Sequence, residues 1–234
     1  MQDSIINIRT RINKAKLLSS DSTRDINLIA VSKTIDSTKI KEAIACGCKD
    51  FGENYLQEAM IKWPAIRAEF PDIKLHFIGH LQSNKCDDAV DLFDVIHSLD
   101  SEKLALQLVK SIKKKQKNPK IFIQVNIGEE PQKSGISPLE IDNFIKFAIN
   151  DCKLDIIGLM AIAPQITNNK ASVNNVVAID ESALYFGLLK IIAKRNNLAN
   201  LSMGMSDDFE TAIACDATHI RIGSLIFGKR VVKI

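Results

Sequence analysis

Short apolar runs alternate with amphipathic stretches along the whole chain. The runs are Leu28–Ser32, Asp50–Gly52, Leu75–Gly79, Val95–Ser98, Ile121–Asn126, Ile156–Ile162, Leu201–Met205 and Ile220–Ser224, eight in all. Runs of this length between turn-forming or polar residues predict strands. Several are apolar at consecutive positions, as strands covered on both faces are. The stretches between them carry helix signals. Asp36 or Ser37 can cap a helix that stops at Gly47. Ser137-Pro138-Leu139-Glu140 offers a cap, a proline for the first helical position and a glutamate that reaches back. Asp207 and Glu210 offer the same pairing for a short helix before the last strand. A helix over Ile179–Asn196 follows a polar loop, Gln165–Asn175.

Eight strands alternating with helices predict parallel pairing through right-handed crossovers. The 234 residues are close to the roughly 250 of an eight-fold β/α barrel. An open doubly wound sheet is the rival, but it places a glycine-rich turn after its first strand. Here Ser32-Lys33-Thr34 follows. The expected fold class is α/β, a single TIM-type (β/α)8 barrel. Only Leu225 to Ile234 follow the eighth strand, so the eighth outer helix is short or absent. Ile5, Ile8, Ile12 and Ala15 recur at helical spacing and predict an extra helix within residues 1–20 that covers that side. No linker or repeat divides the sequence, so residues 1–234 read as one domain with its core at about 25–230.

Composition changes this picture little. With 46% hydrophobic and 25% charged residues the chain reads as an ordinary soluble globular protein. A net charge of +3 gives no general pull toward nucleic acid or an anionic membrane. The basic run Lys113-Lys114-Lys115-Gln116-Lys117 follows Leu104, Leu108 and Ile112 and reads as a solvated helix C-terminus. No apolar stretch approaches the roughly 20 residues of a membrane span. The start of the chain, with Asp3, Arg9 and Arg11, has no leader pattern, so a cytoplasmic location is expected. Cys46, Cys48, Cys86, Cys152 and Cys215 are scattered, which suits reduced thiols rather than disulfides or a zinc site. Tyr55 and Trp63 are expected on helix surfaces. No apolar stripe is left over, so a monomer is expected.

Barrel sites form at the carboxyl ends of the strands, so candidate chemistry is read there. Strand one runs into Lys33, a charged amine directly after a buried run. A partly desolvated lysine loses its proton more easily, and a neutral amine can form a Schiff base with a carbonyl. Gly52-Glu53-Asn54 either caps the next helix or, at Asn54, meets a ligand. Strand three ends near His80, and strand five leads to Lys133-Ser134-Gly135, which also reads as a solvated turn. His76 lies inside a strand and reads as a core histidine. The loops after strands seven and eight, with Met205-Ser206 and Gly223-Ser224, suit an anion: Ser206 precedes a short helix, Gly223 admits close approach and Ser224 adds donors. Asp207 and Asp208 read as capping acids rather than a metal pair, and no metal site is expected. Arg221 faces either way, according to register. A phosphate site opposite a Schiff-base lysine is what pyridoxal phosphate requires.

Ala30-Val31-Ser32-Lys33-Thr34, Phe51-Gly52-Glu53-Asn54-Tyr55, His76-Phe77-Ile78-Gly79-His80-Leu81-Gln82-Ser83-Asn84-Lys85, Lys133-Ser134-Gly135, Gly158-Leu159-Met160-Ala161-Ile162, Leu201-Ser202-Met203-Gly204-Met205-Ser206-Asp207-Asp208 and Arg221-Ile222-Gly223-Ser224 occur in that order. Together they resemble the pyridoxal phosphate homeostasis proteins, related to the barrel domain of alanine racemase. The resemblance implies a fold-type III barrel that binds pyridoxal 5′-phosphate covalently at Lys33. It implies that Asn54 lies near the ring, that Arg221 faces the pyridine nitrogen, and that Met205, Ser206, Gly223 and Ser224 hold the phosphate side. It further implies a carrier or regulator of the cofactor pool that serves other proteins, possible recipients being pyridoxal-phosphate-dependent apoenzymes, and that lacks established catalysis. The alternative is an amino-acid racemase of the same fold, which needs acid/base groups on both faces of the substrate. The sequence departs from the family at Leu75, where an aromatic residue usually stands, and over Gln165–Asn175.

Overall fold

The computed structural model describes residues 1–164 and 181–228. The polar loop expected over Gln165–Asn175 and the start of the helix expected from Ile179 lie outside the described residues. Eight strands, β1 (Asn27–Val31), β2 (Asp50–Glu53), β3 (Lys74–Phe77), β4 (Val95–Leu99), β5 (Lys120–Val125), β6 (Ile156–Ala161), β7 (Asn200–Ser202) and β8 (His219–Ile222), form a closed parallel barrel in sequence order. Around them run α1 (Gln2–Lys16), α2 (Ser37–Ala45), α3 (Leu56–Glu69), α4 (Cys86–Leu92), α5 (Glu102–Lys115), α6 (Ile141–Lys146), α7 (Ser182–Arg195), α8 (Phe209–Ala214) and α9 (Ser224–Phe227). Among the described residues, no helix is long and apolar enough to cross a membrane.

Two faces of the sheet part company chemically. Ala30, Phe51, Leu75, Ile121, Ile220 and Ile222 face the helices and join the main apolar core. Val95, Phe122 and Met160 form a separate, small cluster inside the barrel. Successive strand residues point to opposite faces, so His219 and Arg221 share the inner face of β8. The rings of His76, His97 and His219 lie against one another and against Phe122 there. The apolar core is therefore the layer between sheet and helices, and the barrel axis is largely polar. His76 is buried, as a core histidine should be.

The last strand is closed off as its length suggested. α9 is only four residues long. α1 buries Ile5, Ile8, Ile12 and Ala15, and its Arg11 reaches Glu210 of α8 in a two-point contact of 2.6 and 3.0 Å. Asp36 caps α2 by accepting from the Lys39 amide at 3.0 Å. The basic end of α5 is solvated and paired, Lys114 with Asp87 and Lys117 with Asp91.

Four expectations are corrected. α6 begins at Ile141, not at Pro138. The Ile136 amide donates to Gln124 O and its carbonyl accepts from the Asn126 amide, so this segment is held extended against β5 and Ser137 opens a turn instead. Asp207 and Glu210 do not cap α8: Asp208 holds the cap position and accepts from the Met205 amide, while Glu210 turns to Arg11. Trp63 is wholly buried rather than on a helix surface; Tyr55 is exposed. On α7, Leu184, Leu188 and Ile191 are exposed at helical spacing, so the ground on which a monomer was expected does not hold.

Candidate functional site

The carboxyl ends of the strands surround a cavity of about 330 Å³. Lys33, Asn54, Met205, Ser206, Arg221, Gly223 and Ser224 all line it, with Val31, Ile35, Ile78, Ile162 and Phe227 supplying apolar wall. The size lies within the usual range of ligand pockets, about 300–1,000 Å³.

Lys33 is half-buried, two residues past the end of β1. The chain on both sides of it is tied to a buried ionic cluster. Glu53 of β2 is wholly buried. Its Oε1 accepts from Ser32 Oγ at 2.6 Å, from Trp63 Nε1 at 3.0 Å and from Lys62 Nζ at 2.8 Å. Lys62 Nζ also donates to Ser32 O and to Glu58, each at 2.7 Å. Glu58 Oε1 accepts from the Thr34 amide at 2.7 Å. Thr34 sits at φ 63°, left-handed backbone that a β-branched residue adopts only under such restraint. Glu53 is thus not a helix cap but the anchor of the Lys33 loop.

Arg221 points inward. It is 5% exposed, donating from Nη1 to Ser202 Oγ at 2.8 Å and from Nη2 to Ala161 O at 2.9 Å. Burial pulls its pKa down to about 10, with nearby Asp208 acting against that. It remains a cation at neutral pH. Asn54 is placed by close packing: a Cβ on Gly79 would lie 2.2 Å from Asn54 O. Asn54 Oδ1 is buried with no hydrogen-bond partner among the described residues. Gly204, at φ 90°, lets the turn before α8 pass tightly, since a Cβ there would lie 2.5 Å from Ala212 Cβ. Gly223 differs, because a Cβ there would meet nothing nearer than Val31 at 3.5 Å.

His80 and Lys133 do not join this cavity. They line an adjoining one of about 250 Å³ that shares Asn54, Ile78 and Ile162. His80 Nδ1 lies 3.3 Å from Asp100, whose carboxyl burial pushes above its ordinary range, and Lys133 pairs with Glu130. Sequence reading missed Ser202, which holds Arg221, because a serine inside a strand carries no outward signal of its partner.

The model of the alanine racemase N-terminal domain matches residues 6–231. Over 231 residues the chain is 36% identical to the pyridoxal phosphate homeostasis protein of Pseudomonas aeruginosa, covering 97% of this chain and 95% of that one. The chain belongs to the pyridoxal phosphate homeostasis protein family. Its Escherichia coli K12 relative is likewise 36% identical, over 97% of this chain and 95% of the relative. Among solved structures, PipY of Synechococcus elongatus PCC7942 with pyridoxal phosphate bound superposes with a TM-score of 0.79 at 32% identity, over 97% of this chain and 99% of PipY. Alanine racemase from Corynebacterium glutamicum shares the barrel fold, with a TM-score of 0.65 at 16% identity, this chain matching 62% of it.

Proposed function

We propose that this chain binds pyridoxal 5′-phosphate in the 330 Å³ cavity and serves homeostasis of that cofactor inside the cell, holding it as a Schiff base on Lys33 and releasing it to other proteins such as pyridoxal-phosphate-dependent apoenzymes. The observation that carries this is the convergence of three groups on one cavity: the Lys33 amine, the buried Arg221 cation and the orphaned Asn54 Oδ1. The orphaned acceptor suits a ligand donor such as a ring hydroxyl. Glycine at 223 answers to the cavity rather than to the packing, since a Cβ there would clash with no protein atom. Ser206, Gly223 and Ser224 supply amide and hydroxyl donors for a phosphate, with Met205 beside them. PipY, the relative with the cofactor bound, supports the same ligand.

The chemistry needed of the chain is small. The Lys33 amine adds to an aldehyde and water leaves; water or another amine reverses the bond. Arg221 keeps its protons at neutral pH and so orients the ring nitrogen without protonating it. That weakens the ring as an electron sink and favours storage over turnover. The purified protein is expected to show a visible absorbance band with the cofactor, and Lys33→Ala to abolish it. A colourless protein that takes up no added pyridoxal phosphate would sink this reading, and rapid racemisation of enantiopure alanine would replace the carrier with an enzyme.

A further inference from the structure

A chain of four hydrogen bonds runs down the barrel axis from Arg221 to the opposite mouth. Arg221 Nη1 donates to Ser202 Oγ at 2.8 Å. Ser202 Oγ lies 2.9 Å from His97 Nδ1. His97 Nε2 lies 2.9 Å from His76 Nδ1, and His76 Nε2 lies 3.0 Å from Asp50 Oδ1. Ser202, His97 and His76 are all buried. Asp50 is half-buried and lines a second cavity, of about 730 Å³, at the amino ends of the strands together with Lys74 and Lys120.

The two ends fix the direction of this chain. A guanidinium has only donors and a carboxylate only acceptors. With one proton on each imidazole, His76 Nε2 donates to the Asp50 carboxylate and leaves Nδ1 to accept from His97 Nε2. His97 Nδ1 is therefore an acceptor, and Ser202 Oγ, which accepts from Arg221, gives it its own hydrogen. The His97 ring is held flat on Phe122, with centroids 4.4 Å apart and planes 18° apart. His219 packs against both imidazoles, with centroids 6.3 Å from His76 and 6.2 Å from His97. Among the described residues, no group of three or more His, Cys, Asp and Glu could hold a metal ion, so these imidazoles are not grouped as ligands.

We propose that Ser202, His97 and His76 are positioning residues for Arg221, and that with Asp50 they form a one-directional relay that couples the cofactor-facing guanidinium to the far mouth of the barrel. This rests on the reading that Arg221 faces the bound cofactor. The relay does two things for Arg221. It pins the plane of the guanidinium, with Ala161 O as the second point, so that the remaining N–H groups have one orientation in the cavity. It also aligns successive dipoles toward the Asp50 anion, and hydrogen bonds in such a chain strengthen one another in a low-dielectric interior. A change of charge at Asp50 is thereby felt at a ring that Asp50 never touches.

Asp50→Asn removes that charge while keeping size and an acceptor, at a site outside the cofactor cavity. His97→Phe keeps the stack on Phe122 and breaks the relay. In the cofactor-free protein, nitrogen-15 NMR of the histidine rings is expected to show His97 and His76 as Nε2–H tautomers. Asp50→Asn is expected to move the His97 ring resonances. In the loaded protein, both variants are expected to change the ratio of the visible absorption bands in the same direction. Each should also raise the Kd for pyridoxal phosphate about 3- to 10-fold, the worth of one net hydrogen bond. An Nδ1–H tautomer at His97, or Asp50→Asn spectra and Kd that superimpose on the parent, would overturn the relay. If His97→Phe fails to fold, Asp50→Asn and the tautomers of the unaltered protein still decide. If the unaltered protein takes up no cofactor, the functional reading fails, and the tautomers test the relay alone.

Discussion

At the scale of single residues, the placement of Lys33 depends on side chains it does not resemble. The carboxylate of Glu53 is buried where no water can reach it, and Lys62 is its cationic partner. Such a pair adds little net stability over an apolar pair, but leaving one charge without the other costs about 3–5 kcal/mol. Lys62→Met is therefore expected to lower unfolding stability by about that amount, read as a fall in the urea midpoint of the cofactor-free protein. It also removes the donor to Ser32 O, which frees the loop and should weaken cofactor retention. The double variant Lys62→Met with Glu53→Gln, which removes the stranded charge and keeps an acceptor for Ser32 Oγ and Trp63 Nε1, is expected to recover most of the stability but not the retention. Unchanged unfolding in Lys62→Met would mean that the cluster does not anchor the loop.

At the scale of elements, α1 stands in for the outer helix that α9 is too short to provide. Ile8 is buried under it while Ile6 on the same helix is 56% exposed. Ile8→Ala is expected to cost about 2–5 kcal/mol and Ile6→Ala within about 0.5, compared by thermal unfolding. Equal effects would mean that α1 does not close the barrel. This helix was legible in the sequence because its isoleucines recur at helical spacing. Strands such as β1 and β6 were legible because burial on both faces leaves unbroken apolar runs, and the cavity residues because function sits where the strands end. The start of α6 was not, since pairing of Ile136 with β5 outweighed a good capping sequence. Nor was the inner face of β8: whether Arg221 points to the axis depends on its register, Ile29 beside Arg221, which no single strand reveals. Ser202 and His97 belong to the same class, meeting across 105 residues of sequence.

At the scale of the whole molecule, a polar barrel axis makes folding stability depend on pH in a particular window. Burial, helped by His76 alongside, brings the pKa of His219 down to about 3. Burial likewise holds His97 well below the ordinary value of 6.5, again helped by His76. Between these limits the unfolded chain binds protons at these two positions and the native barrel does not. Stability therefore rises with pH across the window, is fully present above about 6.5 and is lost as pH falls from there toward 3. Each such histidine contributes up to about 1.4 kcal/mol per pH unit. Carboxylates held low by partners, such as Asp87 with Lys114 and Ser111 or Asp142 with Asn196 and Arg195, also lose stability in acid. They do so only below the ordinary carboxylate pKa of about 4, and Asp100, held above its ordinary range by burial, acts in the opposite sense, so a fall across about pH 6.5 to 4.5 reports the histidines. The urea midpoint of the cofactor-free protein is expected to be level from pH 8 to 7 and to fall steadily from 6.5 to 4.5. His219→Asn should flatten that fall relative to the parent, even if it lowers the plateau. A midpoint that stays level down to pH 4.5 would mean that the axial histidines take up protons without unfolding the barrel.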